Sequence, residues 1–286
     1  MPTSAPISGP GLGESKTINL SSGRTYILSV PADYSPEKSW PVVLAFHGWK
    51  ESARAMAKYS ELSAAEALVA FPQGKDSAWA PAPYATTSGS EDVQFVTEII
   101  DTLRATYNVD DQRIYATGMS NGGGFAAYLG CQMPDVFAAV ASVSAAYYQS
   151  IHADCTGEPV ARLDIHGTLD PIVDYYGGTR HGARYNSVPD VMEMDAMRNR
   201  CSGEQITERM SNNALLTTWT QCEKPLQHIR LGGGHHVWPG GNYDSMKEAG
   251  TGFATDKVLD FFGIPGRPAD TEQIDVVSSA HSSLPQ

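Results

Sequence analysis

The chain has 286 residues, of which 41% are hydrophobic and 18% are charged, and its formal net charge is −12. This composition is ordinary for a globular protein, and the length allows one large α/β domain or two small ones. The negative charge argues against binding to nucleic acid and is compatible with an enzyme that acts on a neutral substrate. The longest apolar run, near residues 42–46, is far too short to span a membrane.

Strand and helix patterns alternate along the chain from residue 16 to residue 265. The predicted strands are rich in β-branched and aromatic residues, and they are residues 16–20, 24–31, 40–48, 68–74, 113–119, 137–145, 161–167 and 226–234. The predicted helices are residues 51–67, 92–107, 121–132 and 252–263. This alternation predicts one α/β domain built on a doubly wound, mostly parallel sheet, flanked by a flexible arm (residues 1–15) and a flexible tail (residues 266–286).

The N-terminus and the cysteines bear on the cellular compartment. The first residues lack the charged and apolar regions of a signal peptide, so the protein is interpreted either as cytosolic or as a mature form with an added Met. The four cysteines fall into two local pairs, Cys131 with Cys155 and Cys201 with Cys222. Two disulfides would indicate an oxidising compartment, and four buried thiols are the alternative.

The segment Gly118-Met119-Ser120-Asn121-Gly122 lies between a predicted strand and a predicted helix. A serine on such a sharp turn projects its hydroxyl outward as a nucleophile, and bulkier residues in place of the glycines would collide there. The pattern alone is weak, but its setting between strand and helix favours Ser120 as a nucleophile.

A nucleophilic serine needs a base that is oriented by a carboxylate, and in this architecture the order along the chain is Ser, Asp or Glu, His. Asp170 lies just beyond a predicted strand end, in a loop bounded by Gly and Pro. Asp174 is the local rival, Asp164 lies inside the strand, and a turn-capping role is the alternative for Asp170. His166 precedes the carboxylate, so we interpret it as a structural residue at the strand end.

The base is expected after Asp170. The candidates are His181, His228, His235, His236 and His281. Only His235 and His236 directly follow a late strand. Because consecutive residues of an extended chain point to opposite sides, at most one of the two faces Ser120.

A tetrahedral intermediate also needs hydrogen-bond donors for its oxyanion. The amide of Asn121 follows the nucleophile, and the amide of Trp49 lies in the loop after an early strand, where the second donor is expected. His47 in that loop is interpreted as a buried residue that shapes the turn.

Together these segments resemble a known family. The strings AFHGW, ATGMSNGGG, HGTLDPIVDYYGG and GGGHHVWPGG occur in the order found in secreted serine esterases, a group that includes feruloyl esterases of carbohydrate esterase family one and polyhydroxybutyrate depolymerases. The resemblance runs from about residue 16 to residue 265. It implies an α/β-hydrolase fold with Ser120 as nucleophile and Asp170 as acid. The usual string Gly-His-x-Trp-Pro aligns His236 with the base.

The resemblance also bears on the cysteines and on two departures from the family pattern. The cysteine pairs fall where relatives carry local disulfides, which favours a secreted, mature form without its signal peptide. Relatives often have Cys where this chain has Trp49, and His235 replaces a glycine. His235 is therefore expected on the rim of the site, and Trp49 in the region of the acyl pocket.

The function expected from the sequence is hydrolysis of carboxylic esters, without a metal or organic cofactor. Aromatic residues in or near the predicted loops would stack on an aromatic acyl group, and they are Trp49, Trp79, Tyr84, Tyr147, Tyr148 and Trp238. Packing in the core is the alternative for several of them. A feruloyl esterase acting on plant polysaccharide is the first expectation, and an acetyl xylan esterase or a polyester depolymerase is the second. An acyltransferase and a non-catalytic carbohydrate-binding relative remain as other classes.

Overall fold

The computed structural model describes residues 9–245, 247 and 249–265. Most of the predicted N-terminal arm and the whole predicted C-terminal tail therefore lie outside the described residues. The strands are β1 (Ser15–Asn19), β2 (Thr25–Ser29), β3 (Trp40–Phe46), β4 (Leu68–Pro72), β5 (Val109–Met119), β6 (Ala139–Val143), β7 (Ala161–Gly167), β8 (Gly178–Arg180), β9 (Ala183–Tyr185), β10 (Gln205–Arg209), β11 (Ala214–Trp219) and β12 (Leu226–Leu231). The α-helices are α1 (Ala53–Ser60), α2 (Gly89–Thr106), α3 (Asn121–Gln132), α4 (Val188–Arg198) and α5 (Phe253–Phe262).

Ten of these strands form one sheet in the order β1-β2-β4-β3-β5-β6-β7-β12-β11-β10. The six central strands, from β4 to β12, pair in parallel, and the hairpins at the two edges pair antiparallel. This is the predicted doubly wound, mostly parallel sheet. Because the carboxyl ends of parallel strands meet at one edge, the loops after β3, β5, β7 and β12 converge there.

The core lies on both faces of the sheet. All seven residues of β3 are buried, and its alternate side chains enter two different apolar layers. Val43 and Ala45 pack in one layer, while Val42, Leu44 and Phe46 pack in the other. A strand covered on both faces reads as a continuous apolar run, which explains why this segment is readily recognised from sequence.

All four predicted helices are present, and one of them is markedly shorter than predicted. Helix α2 begins with a capping box, in which the Ser88 side chain accepts from the Glu91 amide and the Glu91 carboxylate accepts from the Ser88 amide. The helix predicted over residues 51–67 ends at Ser60, because Glu61 adopts the left-handed conformation with φ 53°. A single 3₁₀ turn follows.

Elements not predicted from the sequence are α4, the edge strands β10 and β11, and the small β8–β9 hairpin. The Cys131–Cys155 and Cys201–Cys222 disulfides are both formed, as the predicted pairing requires. None of the helices in the described part of the chain has both the length and the apolar character needed to cross a bilayer.

Candidate active site

Ser120 occupies the turn between β5 and α3 with φ 55° and ψ −117°, a strained conformation for a residue with a side chain. The turn is crowded by backbone from neighbouring strands. A Cβ on Gly122 would lie 2.1 Å from the carbonyl oxygen of Phe46, and one on Gly118 would lie 2.4 Å from the carbonyl oxygen of Gly122. Close approach of the chain therefore requires glycine at both positions, as the motif predicts.

Backbone hydrogen bonds fix the serine turn. The Ser120 amide donates to the carbonyl of Val143 at 2.9 Å, and the Ser120 carbonyl accepts from the amides of Gly124 and Ala146 at 3.0 Å each. The serine lines a cleft at the carboxyl edge of the sheet. Other residues of this cleft are Trp49, Tyr84, Tyr148, Ile172, Arg180, His181 and His236.

Asp170 lies in the loop after β7 and is buried. Its Oδ1 accepts from the amides of Ile172 and Val173 at 2.8 and 2.9 Å, and its Oδ2 lies 2.7 Å from Nδ1 of His236. Burial favours the neutral carboxyl, but hydrogen bonds from His166 and His236 outweigh it and hold the pKa of Asp170 well below its ordinary value. Asp170 is therefore an anion whose two oxygens are both fixed, and Nδ1 of His236 carries the proton that it donates to this anion.

The loop after β12 brings His236 to the cleft. Gly233 has φ 78°, and a Cβ on Gly167 would lie 2.2 Å from the carbonyl oxygen of Gly234, so the loops after β7 and β12 touch through glycine backbone. His235 points elsewhere and lines a separate pocket with Leu231 and other residues. The adjacent side chains of His235 and His236 therefore diverge, as the alternation of an extended chain predicts, and His235 is not among the residues that line the Ser120 cleft.

The loop after β3 runs beside the serine. A Cβ on Gly48 would lie 3.5 Å from Cβ of Ser120, and the Gly48 amide donates to the Glu51 carboxylate at 2.9 Å. His47 is buried beneath the loop, with Nδ1 2.7 Å from the carbonyl of Gly48 and Nε2 accepting from the Gly74 amide at 3.0 Å. Burial lowers the pKa of His47 to about 4, so this imidazole is neutral.

Asn121 anchors the other side of the turn through its side chain. Its Oδ1 accepts from the Trp79 amide at 2.8 Å, and its Nδ2 donates to the Trp79 carbonyl at 3.0 Å. The side chain is thus fully engaged with one backbone unit. Its main chain opens helix α3 directly after Ser120.

One wall of the cleft is aromatic. The rings of Trp49 and Tyr84 stack with centroids 4.4 Å apart, and His181 meets both rings edge-on at 4.6 and 4.9 Å. Tyr148 contacts Tyr84 edge-on at 5.9 Å. His181 occupies the tip of the β8–β9 hairpin, where it and Gly182 both have positive φ. The hairpin therefore contributes His181 to this aromatic wall.

Three of the aromatic residues expected to bind substrate lie in the core instead. Trp79 is fully buried and its indole N–H donates to the carbonyl of His47. Trp238 is buried with its indole N–H donating to Thr255, and Tyr147 is buried with its hydroxyl bonded to Asp164. Their assignment to the substrate site is wrong, because each polar atom is already engaged beneath the surface. Tyr84 and Tyr148 do line the cleft.

Several cleft residues were missed by the sequence. The sequence pattern identifies His181 only as a candidate base and does not single out Arg180 or Ile172. The signal that was available is the Arg-His-Gly turn between two short alternating segments, which is typical of a tight hairpin. Its position over the cleft follows only from the packing of His181 on Trp49.

The sequence profile of the Esterase family, described as "Putative esterase", matches residues 18–228. The chain is 28% identical over 270 residues to "Probable feruloyl esterase C" of Aspergillus terreus, which covers 91% of this chain and 93% of that protein. It is 30% identical over 247 residues to "Putative esterase NocK" of Nocardia uniformis subsp. tsuyamanensis, which covers 77% of this chain and 71% of that protein. The structure of an acetyl xylan esterase from Aspergillus awamori matches with a TM-score of 0.63 at 14% identity, over 88% of this chain and 99% of that one, and shows the shared fold.

Proposed function

Because the chain belongs to the Esterase family of carboxylic ester hydrolases, we propose that it hydrolyses hydroxycinnamoyl esters, such as feruloyl esters of plant polysaccharide, through an acyl-enzyme on Ser120. The observation that carries the proposal is the Asp170–His236 contact of 2.7 Å, made at the edge of the cleft that Ser120 lines. A serine, an imidazole and an ionised carboxylate in this arrangement are what acyl transfer needs.

The reaction proceeds in two halves. Ser120 Oγ attacks the ester carbonyl while Nε2 of His236 takes its proton, and Asp170 stabilises the imidazolium through Nδ1–H. The amides of Trp49 and Asn121 donate to the oxyanion, and the intermediate collapses as His236 protonates the leaving alcohol. Water then attacks the acyl-enzyme with His236 as base. The acid is released and Ser120 recovers its proton.

The aromatic wall supports an aromatic acyl group. The stacked rings of Trp49 and Tyr84 lie beside the serine, and the imidazole edge of His181 closes the stack. A flat hydroxycinnamoyl ring is able to pack on these faces, with a gain of about 0.5–1.5 kcal/mol per aromatic pair beyond the area that it buries. An acetyl group would leave most of this wall uncovered.

The two disulfides support an extracellular location for the enzyme. Disulfides persist in oxidising compartments and are rare in the cytosol. Each closes a loop of little more than twenty residues, with sequence separations of 24 and 21. A secreted enzyme of this kind meets its polysaccharide substrate outside the cell.

The proposal is tested by comparing kcat/KM for methyl ferulate, acetylated xylan and a polyhydroxyalkanoate film. We expect methyl ferulate to be preferred and Ser120→Ala to abolish turnover. Trp49→Ala removes the indole but keeps the backbone amide, so it lowers kcat/KM for ferulate more than for p-nitrophenyl acetate. Tyr176→Ala, an exposed aromatic residue that does not line the cleft, is the matched control.

Each contrary outcome has a separate meaning. A preference for acetylated xylan or for the polyester would contradict the feruloyl assignment while leaving the hydrolase intact. Predominant transfer to an added sugar alcohol would make the protein an acyltransferase. Equal, slow hydrolysis of p-nitrophenyl acetate by wild type and Ser120→Ala would show that the site is not catalytic.

A further inference from the structure

His166 is a buried histidine that the reaction steps above do not use. It lies near the end of β7, with its side chain inaccessible to solvent. Its Nε2 is 3.1 Å from the carbonyl oxygen of Val173 and 3.4 Å from Oδ2 of Asp170. That same Oδ2 faces Nδ1 of His236 at 2.7 Å. Two imidazoles therefore approach one carboxylate oxygen.

The contacts of Nε2 define where the proton of His166 resides. Both neighbours, the Val173 carbonyl and the Asp170 carboxylate, are acceptors, so Nε2 is the protonated donor. Val173 also acts at the other oxygen, because its amide donates to Oδ1 of Asp170. Asp170, Val173 and His166 thus form a closed ring of polar contacts, in which two sides are hydrogen bonds and the third is the 3.4 Å approach of Nε2 to Oδ2. Rotation of the carboxylate away from His236 would break contacts on both of its oxygens.

Packing alone does not account for an imidazole here. Nδ1 of His166 is buried and has no hydrogen-bond partner among the described residues. An unsatisfied buried polar atom destabilises a fold, so an apolar side chain would suit a purely structural position better. An apolar side chain would lack the donor at Nε2, which serves the Val173 carbonyl at 3.1 Å and lies 3.4 Å from Oδ2 of Asp170.

The charged and titratable groups that surround His166 come from several elements. On its own strand and its neighbours they are Arg162, Asp164, Asp170, Tyr175, His228 and Arg230. Burial opposes a charge on His166, but the hydrogen bond to Asp170 and the carboxylate of Asp164 outweigh it and raise the pKa of the imidazole. The donor at Nε2 is present in both protonation states, because the neutral tautomer already carries its proton on Nε2 and the imidazolium carries a proton on each nitrogen.

We propose that His166 is a positioning residue, whose Nε2–H holds the Asp170 carboxylate in the orientation that meets His236 and shares its negative charge between two imidazoles. The inference rests on the proposed triad. Loss of the donor loosens Asp170 and thereby lowers kcat. It also leaves more of the negative charge of Asp170 to stabilise the protonated form of His236, so the acid limb of the kcat/KM profile moves to higher pH.

The experiment compares His166→Met and His166→Gln across the full pH profile with p-nitrophenyl acetate as substrate. The terminal amide of Gln replaces Nε2–H without an ionisable group, whereas Met fills similar volume without a donor. We expect the Met variant to lose about tenfold in kcat with little change in KM, because a misplaced catalytic group lowers the rate steeply. The acid limb of its kcat/KM profile should move to higher pH by about half a unit, which is the shift that the loss of one weak hydrogen bond produces. The Gln variant should restore both quantities.

Thermal unfolding of each variant separates this role from folding. Should His166→Met fail to fold, His166→Asn replaces it, because its shorter amide does not reach Oδ2 and should reproduce the loss. A folded donor-free variant with wild-type kcat and an unmoved acid limb would overturn the inference, and so would a Gln variant as impaired as the Met variant. Failure of the wild type itself to hydrolyse the substrate would instead refute the proposed function.

Discussion

Acidification should destabilise the protein through His47, the buried imidazole beneath the loop after β3. Its Nε2 accepts from the Gly74 amide at 3.0 Å, and its Nδ1–H donates to the Gly48 carbonyl at 2.7 Å. A proton added to Nε2 would point at the N–H group of Gly74, which cannot accept a hydrogen bond. Protonation therefore breaks the contact and places an uncompensated charge in the core.

The size of the effect follows from the pKa of His47, which burial lowers from 6.5 to about 4. Between these values the unfolded chain binds more protons than the folded one, so stability is complete above the unfolded pKa and is lost as the pH falls towards the folded pKa. Linkage gives a loss of about 1 kcal/mol at pH ~5.5 and about 2–3 kcal/mol at pH ~4.5. Against a typical total of about 5–15 kcal/mol, the larger loss is substantial.

The assay is urea unfolding of the wild type and of His47→Gln at about pH 7.5 and about pH 4.5. The Gln oxygen is able to accept from the Gly74 amide but does not titrate, so the variant should lose about 2–3 kcal/mol less than the wild type over this interval. Other titrating groups, including His152, whose pKa burial also lowers to about 4, cancel in the comparison. An equal pH dependence in the two proteins would refute the reasoning.

The remaining predictions concern the base, the serine turn and the disulfides. His236→Ala should lower kcat for p-nitrophenyl acetate by about 10⁴-fold. His235→Ala should mainly change KM or stability, because the His235 side chain lines another pocket. A large loss of kcat in His235→Ala but not in His236→Ala would show that the base was assigned to the wrong histidine. Gly122→Ala should abolish activity and lower Tm, since a Cβ there would lie 2.1 Å from the Phe46 carbonyl oxygen, and an active variant with unchanged Tm would contradict this. Thiol titration of unfolded, unreduced protein should find no free thiols, and finding four thiols would contradict both disulfides. Reduction should lower the free energy of unfolding by about 3 kcal/mol per disulfide.

The closeness of Asp170 and His236 was accessible from the sequence because it depends on strand ends. Asp170 lies three residues beyond the end of β7 and His236 five residues beyond the end of β12, and the two strands are parallel neighbours in the sheet. Parallel neighbours deliver the residues after them to the same edge, whatever separates them along the chain. Local pattern together with one rule of topology therefore brings Asp170 and the His235–His236 pair to one edge of the sheet. The family string Gly-His-x-Trp-Pro then selects His236, which lies 66 positions from Asp170 along the chain.

The substrate-binding residues were less accessible, because the direction of a loop side chain depends on tertiary packing. Tyr147 and Tyr148 are adjacent and equally aromatic, yet Tyr147 turns inward to Arg162 and Tyr148 lines the cleft. The missed edge strand β10 shows the same limit, since all five of its residues are exposed and no apolar face marks it. Composition identifies such residues as aromatic or polar without fixing what they face.

Strand β7 shows how such packing bears on the site. Its sequence alternates apolar and polar residues, a pattern typical of a strand with one face in water, yet all seven residues are buried. The polar face carries Arg162, whose guanidinium pairs with Asp195 of α4 at 3.1 Å, and then Asp164 and His166. Buried charges of this kind destabilise a fold unless each has a partner, so the covering elements must supply those partners as well as apolar contact. At the end of this polar face, Nε2 of His166 lies 3.4 Å from Oδ2 of Asp170, so the strand that carries the paired charges also brings a donor to the proposed triad carboxylate.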